Sequence, residues 1–340
     1  MLSDVEMIVA GSFAASALLT GAVRRISLSR GILDRPNERS SHESPTPRGG
    51  GLAIAVVSML AILILYVIGS LDRHAMVALV GGGIAVAGVG FVDDRRPLAA
   101  WVRLLVHLGA ALWALMWLGG LPILSFGHSL LALGAMGYLL GVFGTTWALN
   151  LFNFMDGIDG LAASEAVFMA WAGAWLTFRW GGGGALIGVG LALGAASLGF
   201  LLWNWPPAKI FMGDVGSGYL GYVIAVLAIA SARQNSAALF AWLILGGVFF
   251  SDATMTLIRR LLRGERVYQA HRTHGYQWLA RRWRSHGRTT LTVMTINLLW
   301  LLPWAAAAVS NPPRAARFAI AALTPVAMLA YLAGAGRRES

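Results

Sequence analysis

Cysteine is absent from the 340 residues, and charge is scarce: Asp, Glu, Lys and Arg together make up 12% of the chain. The first absence excludes disulfides, Cys-ligated zinc and thiol nucleophiles, and leaves the compartment open. The second excludes an ordinary soluble domain, which must cover its core with polar surface. Acidic residues are the rarer sign, 15 against 26 Lys and Arg, for a net charge of +11. Apolar residues fill the space, at 57% of the chain and a mean hydropathy of +0.68. Such a chain belongs in a bilayer.

Crossing about 30 Å of hydrocarbon takes about 20 mostly apolar residues per helix. Eleven stretches approach that length, near 5–23, 51–70, 75–92, 101–119, 129–149, 161–179, 184–203, 217–231, 236–258, 289–309 and 315–334. The expected fold is therefore an all-α integral membrane protein, one polytopic domain over 1–340 with about 11 transmembrane helices. Asp4 and Glu6 precede the first run without a basic flank, so that run reads as a retained span and not as a cleaved signal peptide.

The basic residues are unevenly shared. Alternate loops near 24–50, 93–103, 203–216 and 259–288, with the C-terminus, hold 21 of the 26; the other side holds Arg73, Arg179, Arg233, Arg314 and Arg317. By the positive-inside bias the rich side is cytoplasmic, which puts the N-terminus in the periplasm and the C-terminus in the cytoplasm. A basic cytoplasmic face also suits anionic lipids.

Five polar stretches fall on that same face: "ILDRPNERSSHESPTPRGGG", "GFVDDRRPL", "NLFNFMDGIDGLA", "WNWPPAKIFMGDVGSGYLG" and "RVYQAHRTHGYQWL". Asp93, Asp94, Asp156, Asp159 and Asp214 all stand at or just beyond helix ends, where a carboxylate can be hydrated. Hard oxygen donors without cysteine suit Mg²⁺, with Mn²⁺ as the alternative, bound through one or two carboxylates and a substrate diphosphate. Glycines in "DGIDGLA" and "GDVGSGYLG" precede helical runs, so free backbone N–H groups could meet anionic oxygens there. His271, His274 and the arginines around them could neutralise further phosphate charge.

Each stretch also has an ordinary explanation when taken alone. Asp93 and Asp94 beside Arg95 and Arg96 could be a charged helix end, and Asp156 and Asp159 could cap the next helix. "GDVGS" could be a tight turn, and the His271–His274 loop a solvated interfacial segment. Their coincidence on one face favours a site. Asp252, inside the ninth run, is a costly place for a carboxylate and should have a partner, for which Arg259 and Arg260 are the nearest candidates.

In their order and spacing the five stretches resemble the polyprenyl-phosphate N-acetylhexosamine-1-phosphate transferases, a membrane family within glycosyltransferase family 4. The resemblance covers most of the chain. It implies transfer of a sugar-1-phosphate from a UDP-N-acetylhexosamine to undecaprenyl phosphate in the bacterial inner membrane, releasing UMP, with no nucleic acid as partner. A homodimer is compatible with it. Residue by residue, it implies Asp214 as a Mg²⁺ ligand with Asp156 close to metal and nucleotide. Asp93 and Asp94 resemble the active-site aspartate pair, Asp93 being the one to orient or deprotonate the lipid phosphate. Asn150, Asn153, Asp156 and Asp159 would line the polar cleft, with Asn204 and Phe211 on the nucleotide side. His271, Arg272 and His274 would contact phosphate or sugar, and His42 and Arg48 would stand near the site.

"HRTHGYQ" replaces the run of histidines of the muramyl-pentapeptide branch, so the chain looks more like the branch that starts O-antigen or capsule chains with GlcNAc, QuiNAc or FucNAc derivatives. Direct displacement and a two-step route through an aspartyl phosphoryl-enzyme both stay open, as does the peptidoglycan enzyme. In another class, a secondary transporter would place its carboxylates deeper between the spans.

Overall fold

The computed structural model describes residues 2–34, 44–126, 129–265 and 271–338. It is a multi-pass helical bundle. Nine helices among the described residues are long and apolar enough to cross a membrane. They are α1 (Leu2–Ser29), α3 (Arg73–Asp93), α4 (Ala100–Leu118), α5 (Gly134–Met155), α6 (Leu161–Arg179), α7 (Gly184–Asn204) and α8 (Asp214–Gln234), with a run from His286 to Ser310 and another from Pro312 to Ala333. The first run joins α12 (His286–Ile296) to α13 (Leu302–Ser310) through a π-helical turn, Asn297–Leu301; the second contains α14 (Ala315–Ala333). Helix α2 (Gly51–Val67) is apolar but has 17 residues.

The ninth apolar stretch departs from expectation. It is not one span but two helices, α9 (Ala238–Leu245) and α10 (Gly247–Leu262), bent by 73° at Gly246. A side chain at Gly247 would press on the methyl groups of Leu323 and Leu301, which close over the corner. Helix α5 also runs further than the apolar run suggests, to Met155, which places Asn150 and Asn153 on helix and not in a loop. A short amphipathic helix, α11 (Gly275–Trp283), follows α10.

Helix α8 is the axis of the bundle, with 89% of its span window buried against α2, α3 and α5. Its aromatic hydroxyls are satisfied across helices: Tyr222 donates to the Ala78 carbonyl at 2.6 Å, and Tyr219 meets Ser58 at 2.9 Å. In hydrocarbon that pairing matters, because no water would replace it. The N-terminus of α8 therefore stands at a fixed place at one end of the bundle.

Two antiparallel strand pairs complete the chain, β1 (Leu33–Asp34) with β2 (Thr46–Pro47), and β3 (Leu124–Phe126) with β4 (Ser129–Leu131). The first pair continues into a backbone ladder. Phe211 N–H donates to the Pro47 carbonyl, and the N–H groups of Gly50 and Gly51 donate to Phe211 and Met212. That ladder ties the first polar loop to the segment entering α8.

Candidate active site

Asp94 caps α8. Its two carboxylate oxygens accept from the N–H groups of Asp214 at 2.9 Å and Val215 at 3.2 Å, satisfying donors that a helix N-terminus leaves free. The fit depends on Gly213, at φ +77°, because a Cβ there would collide with the Asp94 carboxylate. Adjacent Asp93 points elsewhere, accepting from Leu98 N–H at 2.6 Å and from Arg103 Nη1 at 2.9 Å.

Two arginines converge on this acidic corner. Arg48 reaches Asp94 at 3.0 Å and Asp214 at 3.2 Å, and Arg103 reaches Asp93 at 2.9 Å and Asp214 at 3.0 Å. Both Asp214 oxygens are therefore in ion pairs. Burial works against the charge on Arg48, but Asp94, Asp214, Asp34 and Asp156 outweigh it and hold the guanidinium above its ordinary value. Burial pushes Asp94 up, opposed by Arg48 and the two helix N–H groups.

Asp156 differs from its neighbours. It closes the C-terminus of α5, lines a polar cavity of about 260 Å³ with Asp214, and its carboxylate makes no hydrogen bond or ion pair among the described residues. Burial pushes its carboxyl well above the usual carboxylate range, and Asp214 adds to the rise while Arg48 opposes it. An unpaired acid facing a second acid across a cavity calls for a cation. No group of three or more His, Asp or Glu is spaced to hold a metal ion among the described residues. A divalent ion would have to take its remaining ligands from water or a bound anion, which is how Mg²⁺ commonly binds.

The rest of the wall comes from several separate segments, those of Asp34, Arg48 and Asn204 among them. Asn153 stands one helical turn before Asp156, and Phe211, Met212 and Ser217 come from the entry to α8. Gln277 comes from α11 and His286 from the start of α12. Asp159 is held by Ala208 N–H at 3.1 Å, and His286 Nδ1 lies 3.3 Å from both its backbone N–H and its carboxylate. Gly157 lies so close to the Tyr276 hydroxyl that a side chain there would collide; that hydroxyl donates to the Phe154 carbonyl at 2.9 Å. The turn bearing Asp156 is thus clamped by α11.

A matching family profile, "Glycosyl transferase family 4", covers residues 76–232. A probable undecaprenyl-phosphate N-acetylglucosaminyl 1-phosphate transferase of Bacillus subtilis is 32% identical over 290 residues, spanning 83% of this chain and 79% of that one. The chain belongs to this family of polyprenyl-phosphate sugar-1-phosphate transferases. A decaprenyl-phosphate N-acetylglucosaminephosphotransferase of Mycobacterium tuberculosis is 30% identical over 81% of this chain and 75% of its own length. An undecaprenyl-phosphate alpha-N-acetylglucosaminyl 1-phosphate transferase of Yersinia pestis is 28% identical over 76% and 72%. The protein is a phosphoglycosyltransferase.

Within this transferase the fold brings Arg48, Asn153, Asp156, Asp159, Asn204, Phe211 and Asp214 to one cavity, with Asp93 and Asp94 immediately behind Asp214. Of the other expected residues, Asn150, His271, Arg272 and His274 stand apart, and Asn204 lines the cavity with its amide already engaged. Asn150 faces the helix, donating to the Thr146 carbonyl at 2.7 Å. Asn204 is 3% exposed and spends both ends of its amide on backbone, accepting from Gly160 N–H and donating to the Ile210 carbonyl, each at 3.0 Å. His274 is buried beside Asp252, and His271 stacks on it at 4.9 Å; neither they nor Arg272 line the cavity. His42 lies outside the described residues.

The expected pairing of Asp252 with Arg259 or Arg260 is not what forms. Asp252 accepts from Gly275 N–H at 2.9 Å and Tyr276 N–H at 2.8 Å and meets His274 at 3.2 Å, while Arg259 donates to the Ala335 carbonyl and Arg260 pairs with Glu265. His286 on the cavity wall and Arg103 behind Asp214 lay outside all the polar stretches. Arg103 left one signal, a charge in the first turn of an otherwise apolar run.

Proposed function

We propose that this transferase moves N-acetylglucosamine-1-phosphate from its UDP donor to undecaprenyl phosphate, releasing UMP, and that it starts a surface polysaccharide such as an O-antigen. The observation that carries the reading is the meeting of two unlike cavities across one turn of α5. Asn153 and Asp156 line the polar one, whereas Leu151 and Phe152 line an apolar one of about 370 Å³ between α5, α8, α9 and α10. A water-soluble nucleotide suits the first and an isoprenoid tail the second.

The reading places the cavity on the cytoplasmic side of a bacterial inner membrane, as the 21 basic residues on that face favour. In the reaction an oxygen of the lipid phosphate attacks the β-phosphorus of the donor. The bond from that phosphorus to the bridging oxygen breaks, and UMP leaves with that oxygen. Asp156 and Asp214 would hold Mg²⁺, which supplies charge neutralisation at the diphosphate. Arg48 and Arg103 lie against the same carboxylates, and they neutralise charge that builds on the leaving phosphate.

Asp93 fixes Arg103 from behind and Asp94 fixes the α8 terminus, so this geometry gives the aspartate pair positioning work. No strong base is required, because a phosphate monoester is already largely ionised near neutral pH. The phosphorus chemistry is therefore alignment and charge neutralisation.

The deciding experiment incubates purified protein and undecaprenyl phosphate with a panel of UDP-N-acetylhexosamines, with and without Mg²⁺, and measures UMP. Release with UDP-GlcNAc and Mg²⁺ is expected. Turnover of UDP-MurNAc-pentapeptide in its place would assign the protein to peptidoglycan synthesis, and no release with any donor would remove the reading.

A further inference from the structure

Glu165 takes no part in the cavity. It sits on the second turn of α6, 0% exposed, and its one hydrogen-bond partner among the described residues is the equally buried Asn297, whose amide Nδ2 donates to Glu165 Oε2 at 2.6 Å. The other two oxygens of the pair, Glu165 Oε1 and Asn297 Oδ1, are buried without any partner.

Two stranded acceptors on one hydrogen-bonded pair of side chains cost more than one, since each forfeits its hydration. A single proton removes both deficits. Placed on Oε1, it makes that oxygen a donor, and Oδ1 is the acceptor the same amide leaves over. A carboxylic acid and a primary amide then close a ring of two hydrogen bonds with no net charge in the hydrocarbon.

The ring has a place in the site's construction. Asn297 opens the π-helical turn, and His286, Thr290, Val293 and Asn297 follow at spacings of four, three and four, one stripe of a helix. The top of that stripe touches the Asp159 turn: His286 Nδ1 accepts from Asp159 N–H, and Thr290 donates to the Asp159 carbonyl at 3.3 Å. The bottom is held by Glu165, six residues past Asp159. The stripe is thus fixed to one segment of chain at both ends.

We propose that Glu165 is a protonated positioning residue, paired through two hydrogen bonds with Asn297, which locks α12 against α6 and so holds His286 over the cavity. The positioning half rests on the cavity being the reaction site; the protonated pair does not.

The test uses the full-length protein in lipid nanodiscs. Infrared difference spectra of wild type and Glu165→Gln at near-neutral pH should show a protonated carboxylic-acid carbonyl band that the variant lacks. Glutamine can form the same ring as an amide pair, so Glu165→Gln should keep wild-type thermal stability and donor KM. Glu165→Ala should raise the donor KM about fivefold, the size of one net hydrogen bond, with a smaller change in kcat. Absence of the band difference overturns the protonated pair. A Gln variant as impaired as the Ala variant overturns the positioning role, and the comparison holds through Gln if the Ala variant does not fold. Wild type that turns over no UDP-sugar, with the band still present, would sink the transferase chemistry instead and leave the pair standing.

Discussion

Asp156→Asn should make the cation-free protein more stable and the enzyme inactive. The carboxylate has no donor among the described residues, and burial, with the charges of Asp214 and Asp94, raises its pKa from the ordinary 3.8. A group whose folded pKa lies above its unfolded one contributes stability that is complete below the unfolded value and is lost as pH rises through the folded value. Asparagine has no charge to lose, so the variant's advantage opens as pH climbs from about 4 and persists at neutrality. An unsatisfied buried polar group costs about 1–3 kcal/mol, more when charged. The oxygens border an open cavity and Arg48 offsets part of the repulsion, which brings the expected gain to about 1–2 kcal/mol, or roughly 1–3 °C in Tm for a chain of this size. Adding Mg²⁺ should reverse the order, raising wild type by mass action and leaving the variant unmoved. Thermal unfolding in detergent, across pH 4–8 and with and without Mg²⁺, reads both effects. A variant no more stable than wild type at pH 7 without cation, or one that gains as much from Mg²⁺, refutes the reasoning.

Arg103→Gln removes the bridge between Asp93 and Asp214 and should lower kcat for UMP release about 10²-fold while the helices still assemble; unchanged kcat would take Arg103 out of the charge-neutralising set. Gly157→Ala sets a methyl against Tyr276 and should destabilise by about 1–3 kcal/mol, and Tyr276→Phe should recover part of that in a double-mutant cycle. Additive effects would show that the two do not touch. Burial, helped by His274, pushes His271 down to about 3, so its contribution is full above its ordinary 6.5 and lost as pH falls from there toward 3. His271→Gln should flatten that acid-side loss, and identical pH–Tm curves for the two proteins would contradict it.

The acidic corner was legible from sequence because each member sits in a short polar stretch that interrupts apolar runs. What the interruptions could not tell was the division of labour. Asp93 and Asp94 are neighbours in sequence, yet successive residues leave a helix about 100° apart, so one caps α8 and the other grips Arg103. Asn204, expected on the nucleotide side, does line the cavity, but only the fold shows that its amide also joins Gly160 to Ile210. His274 reads as a phosphate ligand until Asp252 is found beneath it. Arg103 and His286 had no motif because their meaning depends on partners more than 100 residues away, at Asp214 and Asp159.

The chain by itself determined its solvent, its helical class and its family, because hydrocarbon forces every backbone polar group into local helical bonds and the length of an apolar run is a local property. It also determined which residue types stand at the polar end. Only the tertiary structure decided the corner at Gly246, the partner of Asp252, the joining of Glu165 to Asn297, and which acid stays unpaired. Those depend on how each helix is rotated about its own axis and how deep it sits against its neighbours. Side-chain packing sets both, and linear spacing records neither.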